Sequence, residues 1–529
     1  MAAGSSSGAM SLYIRVAGLA TLVACATVHV DRVAYAAAEE PGIATEAASI
    51  RGYLESQGSP VFVGDARDAR LWKALQAFYW SRAYAPAWIR DGRLTPGAAA
   101  LLRTAATVDR EGLSAERYDP RVIAGGTLPA RVDVAVTYVF LRLAADLGLG
   151  VTDPRGSTVL WRLLTRDVDF AALLAEAARR DAPADVLAAV RPAHPQYRAL
   201  VDALARHRRI AQAGGWPTVP EKARGNSAAQ AAALRARLLA SGDLEDGGRM
   251  KDALARFQSR HGLAAKGVLD AATLAALNVP VEDRIQQIEL NLERWRWQGF
   301  PASGRTILVN VPTFELHAYE DGREEVAMRV ITGKGDSPTP VFDEGMTQVI
   351  FSPHWNVPAN ILETEVLPAI KKNPRYLASK NMEMVRSSSG EVAVRQRPGP
   401  NNALGLVKFL LPNPFNVYLH DTPGDALFTR AERAFSHGCI RLEKPEALAR
   451  FALRGTSWDD AAIARAMRSG QEQFVALEKA IPVAVTYFTA WVDADGTVRF
   501  APDVYRHDVA QRKLVPVPKT ATFLALVRS

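Results

Sequence analysis

The stretch Ser436-His437-Gly438-Cys439-Ile440-Arg441 decides how the chain is interpreted, because it holds one of only two cysteines in 529 residues. The other, Cys25, lies in an N-terminal segment with the features of an export signal. Exported proteins use cysteine mostly in disulfide pairs. Removal of the signal would leave a single thiol, and nucleophilic catalysis is the leading explanation for an unpaired thiol in an oxidising compartment.

A catalytic thiol needs a base beside it, because its ordinary pKa of about 8.5 leaves it mostly protonated at neutral pH. A neighbouring imidazole would raise the thiolate fraction. His437 lies two residues before Cys439 and would share its face in an extended segment. His420 lies nineteen residues before Cys439 and ends the alternating run 415–419, which predicts a strand. A hairpin-like return from that strand would bring His420 to the thiol, and Gly438 leaves the backbone free to aim amides at a substrate.

The run Tyr418-Leu419-His420-Asp421, followed by residues 436–442, resembles the signature of the YkuD-type L,D-transpeptidases. These enzymes are cysteine acyltransferases of bacterial peptidoglycan and targets of carbapenems. The resemblance implies that Cys439 is the nucleophile and His420 the base. A structural cysteine packed beside core histidines is the competing interpretation of the same residues.

The same resemblance assigns a second group of residues to the oxyanion region or to substrate positioning. They are Ser436, His437, Gly438, Tyr418 and Arg441. Many family members carry Asn where this chain has Arg441, so roles based on that Asn do not carry over. Either the Asp421 carboxylate or a backbone carbonyl would orient the base, and the sequence does not choose between them.

Length and composition predict a globular chain of three or four domains, at about 150 residues each. The chain is 48% hydrophobic and 23% charged, with a net charge of +8. That charge is compatible with attraction to anionic envelope polymers or membrane lipid, and equally with a solvated arginine-rich surface. The sequence shows no Gly-rich phosphate loop, zinc-ligand spacing or basic–aromatic ladder, so no metal, organic cofactor or nucleic-acid partner is predicted.

Residues 1–38 predict a secretory signal, with Arg15 before the short apolar core 16–28 and small-residue cleavage sites at 34–38. Two alternatives remain open. The run Leu22-Val23-Ala24-Cys25 resembles a lipoprotein box, which would anchor the chain through Cys25, and an uncleaved segment would act as a weak anchor. Each of the three places the body of the protein in the periplasm.

Two modules and a linking helix are predicted before the catalytic domain. Residues 45–215 read as a helical scaffold, and residues 77–88 with 112–114 resemble the scaffold of the large YcbB-type branch. Residues 226–280 resemble a three-helix peptidoglycan-binding module, with Gly262 as a helix stop and Asp270 as a helix cap. A spacer or a protein-contact role is the alternative to glycan binding. Residues 281–300 predict a linking helix, packed on the catalytic domain with its arginines in water.

The catalytic domain is predicted at residues 305–515, with a lid inserted at about 357–410. A late hairpin is expected between strands 483–488 and 498–500, turned at 493–496. The expected fold class is therefore multidomain α+β: a β-rich YkuD-type catalytic domain with an inserted lid, preceded by the scaffold and the three-helix module.

The resemblance implies a reaction on peptidoglycan stem peptides and glycan. Cys439 would form a thioester by cleaving the diaminopimelate–D-Ala bond of a tetrapeptide donor, and an amine of another stem would complete a 3→3 cross-link. Transfer to water would make an L,D-carboxypeptidase, and transfer to a lipoprotein would anchor it to the wall. An inactive wall-binding scaffold is the alternative outside enzyme function. Cell-wall synthesis proteins are expected partners, and the oligomeric state is not predicted.

Overall fold

The computed structural model describes residues 41–56, 66–119, 128–156, 161–164, 166–221, 227–299, 301, 303–386 and 392–514. The predicted export signal and the predicted lipoprotein box at Cys25 lie outside these residues. Within the described ranges, every helix is too short or too polar to cross a membrane.

Helices make up most of the N-terminal region. In chain order they are α1 (Pro41–Ser56), α2 (Ala66–Ser81), α3 (Pro96–Ala106), α4 (Pro129–Leu149), α5 (Phe170–Arg180), α6 (Pro183–Val190) and α7 (Pro195–Gln212). Apolar residues cover nearly every side of α4, so the other helices pack around it. Its buried carboxylate, Asp133, accepts hydrogen bonds from the Tyr79 hydroxyl at 2.6 Å and the Trp88 amide at 2.8 Å, which ties α4 to α2 and the segment after it.

Short elements connect these helices. They are the 3-10 turns Val108–Glu111, Ala115–Tyr118 and Pro154–Gly156, and the strands β1 (Ile89–Arg90), β2 (Arg93–Leu94) and β3 (Trp161–Arg162). The first two strands pair with each other. The third leaves the helical region and joins the catalytic sheet, where Trp161 pairs with Val341. This strand is not predictable from the sequence, because two residues carry no periodic pattern.

A three-helix module follows, built from α8 (Ser227–Ala240), α9 (Met250–Arg260) and α10 (Ala271–Leu277) around the buried side chains of Leu238 and Phe257. The predicted helix signals are confirmed. Gly262 follows α9 with φ +67°, and the Asp270 carboxylate accepts the Thr273 amide at 2.8 Å at the start of α10. The module docks on the C-terminal residues, where Arg260 donates to the Val498 carbonyl at 2.8 Å.

The linking helix α11 (Val281–Trp297) packs against the catalytic domain as predicted, with Trp295 stacked on Phe488 at 4.3 Å. The prediction that its arginines lie in water is wrong. Arg294 is buried and pairs with Asp508 at 2.7 Å, and Arg296 is buried and pairs with Glu293 at 3.1 Å. Asp508 comes from the C-terminal end of the described chain and Glu293 from the linking helix itself, so both buried charges are paired and their burial costs little.

The strands of the C-terminal half are, in chain order, β4 (Arg305–Asn310), β5 (Glu315–Glu320), β6 (Arg323–Gly333), β7 (Val341–Phe351), β8 (Trp355–Asn356), β9 (Met382–Arg386), β10 (Val392–Gln396), β11 (Val407–Leu410), β12 (Leu419–His420), β13 (Ala434–Ser436), β14 (Ile440–Leu442), β15 (Gln473–Thr486), β16 (Ala490–Val492) and β17 (Val498–Phe500). The main sheet runs in the order β11-β12-β14-β6-β5-β4-β15-β7-β3, and β7 also pairs with β11. The strands from β11 to β7 therefore form a closed circuit around a core that includes Leu316, Leu419 and Ile440.

Four helical elements cover or end this domain. They are the 3-10 turn Asp425–Thr429 and the helices α15 (Pro445–Leu453), α16 (Asp460–Arg468) and α17 (His507–Arg512). Helices α12 to α14 belong to the insert and are described in the next paragraph. Pro445 occupies the first turn of α15, where its missing N–H costs no hydrogen bond.

The insert forms a small unit of its own. It contains the antiparallel sheet β8-β10-β9, the helices α12 (Ala359–Ile361), α13 (Leu367–Lys372) and α14 (Tyr376–Ser379), and a π-helical turn, Leu362–Val366, between the first two. Val357, Val366 and Val394 form its core. The insert ends earlier than the predicted residue 410, because β11 pairs with β7 and β12 of the main sheet.

The late hairpin differs from the prediction in one of its strands. Residues Val483–Thr486 belong to the long strand β15, where they pair with β4 and β7. The partner of β17 is β16, across the predicted turn at 493–496, where Gly496 has φ +82°. Two apolar runs therefore precede the predicted turn. The longer one, which contains residues 483–486, pairs within the main sheet, and the shorter one, β16, forms the hairpin with β17.

Candidate active site

The predicted base ends strand β12, and the predicted nucleophile directly precedes strand β14. Strands β12 and β14 pair in parallel, with Leu419 opposite Ile440 and His420 opposite Arg441. Leu419 and Ile440 are fully buried in the core, so alternation along each strand puts the side chains of His420 and Cys439 on the other face. Neighbouring strands lie about 4.8 Å apart and two residues span about 6.6 Å, which makes these two residues diagonal neighbours roughly 8 Å apart at Cα.

The structure corrects two details of this prediction. The two strands are parallel, so the chain returns by a crossover through 421–438 and not by a hairpin. The strand before His420 is also shorter than residues 415–419, because Asn416 adopts φ +54°, a left-handed conformation that ends an extended run. The side chain of Asn413 holds this bend by accepting the amides of Phe415 and Val417 at 3.0 and 3.2 Å.

The backbone of the cysteine motif is held by hydroxyl groups. Gly438 has φ +109°, a conformation that side chains other than glycine rarely adopt. The buried Ser436 hydroxyl accepts the Gly438 amide at 3.1 Å and donates to the Cys439 carbonyl at 2.5 Å. Thr339 donates to the Gly438 carbonyl at 2.8 Å from the loop after β6. Ser436 thus fixes the shape of the loop, and its hydroxyl is already engaged with the backbone.

The Cys439 thiol is half-buried, and its Sγ donates to the Asn416 carbonyl at 3.8 Å. Burial raises the pKa of this thiol above its ordinary value of 9.0. The amide and hydroxyl of Tyr418 and the positive charges of Lys408 and Arg441 act in the opposite direction. Four groups around the sulfur therefore favour negative charge there, although burial outweighs them while the thiol is at rest.

His420 is buried, and its Nδ1 lies 2.5 Å from the carbonyl oxygen of Asp421. A carbonyl only accepts, so Nδ1 carries the proton and Nε2 keeps a free lone pair. This answers the question left open by the sequence. The carboxylate of Asp421 is engaged elsewhere, by the amides of Leu406 and Thr422 at 2.7 Å each.

The resting pair is neutral on both sides. Burial, together with the positive charges of Arg441 and Lys408, lowers the pKa of His420 to about 3. The prediction that an imidazole raises the resting thiolate fraction is therefore wrong for this state. The thiol keeps its proton on the Asn416 carbonyl until a reaction moves it to the imidazole.

His437 turns toward the insert. Its Nε2 lies 2.9 Å from the Glu365 carboxylate, which belongs to the π-helical turn Leu362–Val366. The two side chains are 34% and 53% exposed, so the contact lies at the rim of the site. Glu365 thus links the insert to the residue next to Gly438.

Two residues beside the motif were not predicted as part of the site. Lys408 lies in β11, and its Nζ sits 3.8 Å from the centre of the Tyr418 ring. Trp355, at the start of the insert, shares a side-chain hydrogen bond with Tyr418. One sequence feature could have indicated Lys408. It is the single charge inside the apolar run 406–411, where a charged side chain usually faces solvent or a functional site.

A metal site is not formed by the described residues, since they contain no group of three or more His, Cys, Asp or Glu side chains able to hold an ion.

Three family models match the chain. Residues 73–204 match a scaffold domain, residues 232–277 match a "Putative peptidoglycan binding domain", and residues 304–461 match the L,D-transpeptidase catalytic domain YkuD. A curated protein of Haemophilus influenzae, "Putative L,D-transpeptidase", is 31% identical over 239 residues, which are 42% of this chain and 48% of that protein. The chain thus matches about half the length of this relative.

Solved structures of L,D-transpeptidases are also similar to parts of the chain. A Mycobacterium smegmatis enzyme shares 14% identity over 35% of this chain and 59% of its own, with a TM-score of 0.20. L,D-transpeptidase 3 from Mycobacterium tuberculosis, in complex with a faropenem-derived adduct, shares 15% identity over 35% and 60%, with a TM-score of 0.18. A Xylanimonas cellulosilytica enzyme shares 17% identity over 48% and 91%, with a TM-score of 0.18.

These matches confirm the predicted fold class, a multidomain α+β chain with a β-rich C-terminal domain. The chain carries a YkuD-type L,D-transpeptidase catalytic domain, preceded by a scaffold domain and a peptidoglycan-binding domain.

Proposed function

We propose that this protein is a cysteine L,D-transpeptidase that forms 3→3 cross-links in peptidoglycan. One observation carries the proposal: strands β12 and β14 direct His420 and Cys439 to one face, and the contact of Nδ1 with the Asp421 carbonyl leaves Nε2 free to take a proton. A thiol beside a neutral imidazole with a free nitrogen is the arrangement that acyl transfer through a thioester requires.

Acylation begins when Nε2 of His420 takes the Sγ proton as Sγ attacks the carbonyl carbon of diaminopimelate in the donor stem. The C–S bond forms and the carbonyl oxygen becomes an oxyanion. The bond to D-Ala then breaks, and the imidazolium returns the proton to the departing amine. Because the pKa of His420 is depressed to about 3, its imidazolium is a strong acid and gives up this proton readily.

Deacylation repeats the same steps with a new nucleophile. The side-chain amine of a second stem attacks the thioester, and His420 takes the proton that this amine loses. The C–S bond breaks, the thiolate takes the proton back from the imidazolium, and the free thiol is regenerated. A new amide joins the two stems, and the reaction consumes no oxidant or cofactor.

The oxyanion would meet donors from the motif backbone. The Gly438 amide is already bonded to Ser436, and the Ile440 amide is bonded to the Tyr418 carbonyl at 3.1 Å. Among the described residues no acceptor is bonded to the Cys439 amide, which makes this amide the first candidate donor, with the Tyr418 hydroxyl beside the sulfur as a second. One such donor contributes about 3 kcal/mol to transition-state stabilisation.

Hydrolysis by the same thioester would make an L,D-carboxypeptidase. The contact of Glu365 with His437 supports cross-linking, because it holds the insert near the motif, and a covered thioester meets less water. Peptidoglycan stems and glycan are the proposed ligands, and cell-wall synthesis proteins the proposed partners. The periplasm is the proposed compartment, with lipid attachment at Cys25 as the alternative. We propose carbapenems as acylating inhibitors, because their strained amide offers the thiol an activated carbonyl.

The test is muropeptide analysis after incubation with a purified disaccharide–tetrapeptide. The proposal predicts cross-linked dimers from the wild-type chain and none from Cys439→Ala, because no other described residue supplies a thiol. Tripeptide without dimer would assign hydrolysis instead. Unchanged substrate from folded wild-type protein would favour the inactive scaffold. As a second readout, a carbapenem should add one drug mass to the peptide that contains Cys439, and none in Cys439→Ala.

A further inference from the structure

Three neighbouring strands place two positive side chains on either side of the base. Lys408 of β11 pairs with His420 of β12, and His420 pairs with Arg441 of β14. Directly paired residues share a face of the sheet, so the three side chains form one row, Lys408–His420–Arg441. Arg441 follows Cys439 by two residues and therefore lies on the same face as the sulfur.

Neither positive charge is neutralised by a carboxylate. Across the described residues, Arg441 forms no ion pair, and its Nε is buried with no hydrogen-bond partner. Lys408 contacts the face of the Tyr418 ring, and the part of the chain that the structure describes supplies it with no ion pair. Glu472, which adds a favourable field at Lys408, is itself engaged by His354 at 2.9 Å.

Such an arrangement is costly unless a ligand completes it. Burying a guanidinium without a partner removes its hydration and returns nothing, so buried charges are normally paired. Arg294 and Arg296 follow that rule, since both meet carboxylates within about 3 Å, whereas buried Arg284 lies over the ring of Phe500. Lys408 and Arg441 are half-buried and also lack a carboxylate partner among the described residues, and they lie beside the proposed nucleophile.

We propose that Lys408 and Arg441 form a subsite for a carboxylate of the acyl donor. This inference rests on the proposed function and deepens it by naming the group that is recognised. The terminal carboxylate of the leaving D-Ala is the first assignment, because it lies two bonds from the scissile nitrogen and so stays near Cys439 and its neighbours. The carboxylate on the diaminopimelate side chain has the same chemistry and is the second possible source.

The subsite has a further consequence for the order of events. The leaving amino acid carries the recognised carboxylate away with it, so the acyl-enzyme would present an empty cationic row. An acceptor that brings its own carboxylate near its amine would fill the row again, whereas water would not. The same two cations would therefore favour donors in the first step and zwitterionic acceptors in the second.

A test without peptidoglycan uses two alkylating agents that differ only in charge. Iodoacetate carries a carboxylate and iodoacetamide does not, and both react with the thiolate, so the ratio of their rates cancels changes in the pKa of the thiol. In the full chain, with modification located at the Cys439 peptide, we expect this ratio to exceed that of free cysteine by about tenfold or more. Lys408→Met and Arg441→Gln should each bring it back toward the free-cysteine value.

Exposed Lys479 provides the matched control, since Lys479→Met removes the same charge from the surface of the same domain and should leave the ratio unchanged. A wild-type ratio equal to that of free cysteine, or a ratio that neither Lys408→Met nor Arg441→Gln lowers, would overturn the subsite. This test does not depend on cross-linking, so failure of the proposed function and failure of the subsite are distinguishable. Circular dichroism of each variant is the folding control, because an unfolded chain would also react in the free-cysteine ratio.

The source of the carboxylate is resolved with three tetrapeptide donors. One has both carboxylates free, one has a D-Ala carboxamide, and one has an amidated diaminopimelate side chain. Loss of kcat/KM by about tenfold or more with the first amide, abolished in Arg441→Gln, assigns the subsite to the terminal carboxylate. The same loss with the second amide assigns it to the side chain. Equal rates for all three donors would overturn the assignment to substrate.

Discussion

At His420, one carbonyl contact decides which ring nitrogen can react. The Asp421 carbonyl fixes the proton on Nδ1, while burial and two flanking cations keep the ring neutral. A neutral ring in a dry site is a base that is available at any pH above about 3, so the acid limb of activity would follow other groups. The sequence identifies His420 as the candidate base. Its tautomer is set by the carbonyl of Asp421, the first residue of the crossover that follows β12.

The two histidines of the motif should differ sharply when replaced. His420→Gln removes the proton acceptor and should lower the rate of dimer formation by about 100-fold or more. His437→Gln keeps a hydrogen-bonding side chain opposite Glu365 and should cost far less. Steady-state rates with the tetrapeptide measure both, and circular dichroism confirms folding. A larger loss in His437→Gln would exchange the roles assigned to these residues.

Ser436 should matter for both stability and activity. Ser436→Ala removes the hydroxyl that clamps Gly438 and Cys439, and we expect a loss of about 1–3 kcal/mol in the free energy of unfolding, measured by urea titration. The rate of thioester formation should fall as well, because the Cys439 amide loses its fixed direction. Ser436→Thr retains the hydroxyl and serves as the control. Wild-type stability and rate in Ser436→Ala would show that the clamp is dispensable.

At the scale of elements, the closed sheet explains how a very short strand is held in place at the site. Strand β12 has two residues, yet β11 and β14 hold it on both sides. Gly333 at the end of β6 allows the motif to approach closely, since a Cβ there would lie 2.1 Å from the Ser337 carbonyl oxygen and 3.0 Å from Cα of Gly438. The insert contrasts with this, because a few valines form its core and an exposed contact between Glu365 and His437 ties it to the motif.

The insert should become more mobile when the contact between Glu365 and His437 is removed. Glu365→Gln should increase hydrogen exchange of residues 359–372 and raise the ratio of tripeptide to dimer, because the thioester would meet more water. Glu363→Gln changes an exposed glutamate of the same turn and should leave both readouts unaltered. Unchanged exchange and product ratio in Glu365→Gln would rule out a role for this contact in shielding the thioester.

At the scale of the whole molecule, histidines and aromatic rings pack together where the helical region meets the catalytic domain. His194 stacks on Trp295 at 4.5 Å, and His207 lies against Phe500 at 5.5 Å. His507 lies against Trp161 at 5.4 Å. Burial lowers the pKa of each of these three imidazoles to about 4, so the junction is built from neutral histidines at pH 7.

Stability should therefore fall on acidification. In the unfolded chain these histidines take up protons near pH 6.5, whereas in the folded chain they do so only near pH 4. The stability they contribute is present above pH 6.5 and is lost as the pH falls toward 4. Urea titrations between pH 7 and pH 4.5 measure this loss. A flat profile across this range would contradict the prediction.

His317 contributes to stability with the opposite pH dependence, because its contribution is lost as the pH rises. Although burial opposes it, the Glu315 carboxylate 3.7 Å from Nε2 and the Glu324 carboxylate 2.7 Å from Nδ1 raise the pKa of His317 to about 9. Its contribution is complete below pH 6.5 and is lost as the pH rises through 9. The two effects together place maximal stability near pH 6.5, in the interval where the buried histidines are neutral and His317 is still charged.

Patterns within a few dozen residues determined much of this protein from the sequence alone. The cysteine motif, the glycine at φ +109°, the caps of the three-helix module and the order of the domains are local, because backbone geometry and side-chain type act over short stretches.

Only the tertiary structure decided which groups face one another. It chose the parallel pairing of β12 and β14, buried Arg294 and Arg296, kept the thiol and imidazole neutral, and set Lys408 and Arg441 on either side of the base. Each of these depends on strand partners brought together from distant parts of the chain, and on the water that their contact removes. A sequence carries charge and periodicity, whereas desolvation and pairing exist only after the chain has closed around them.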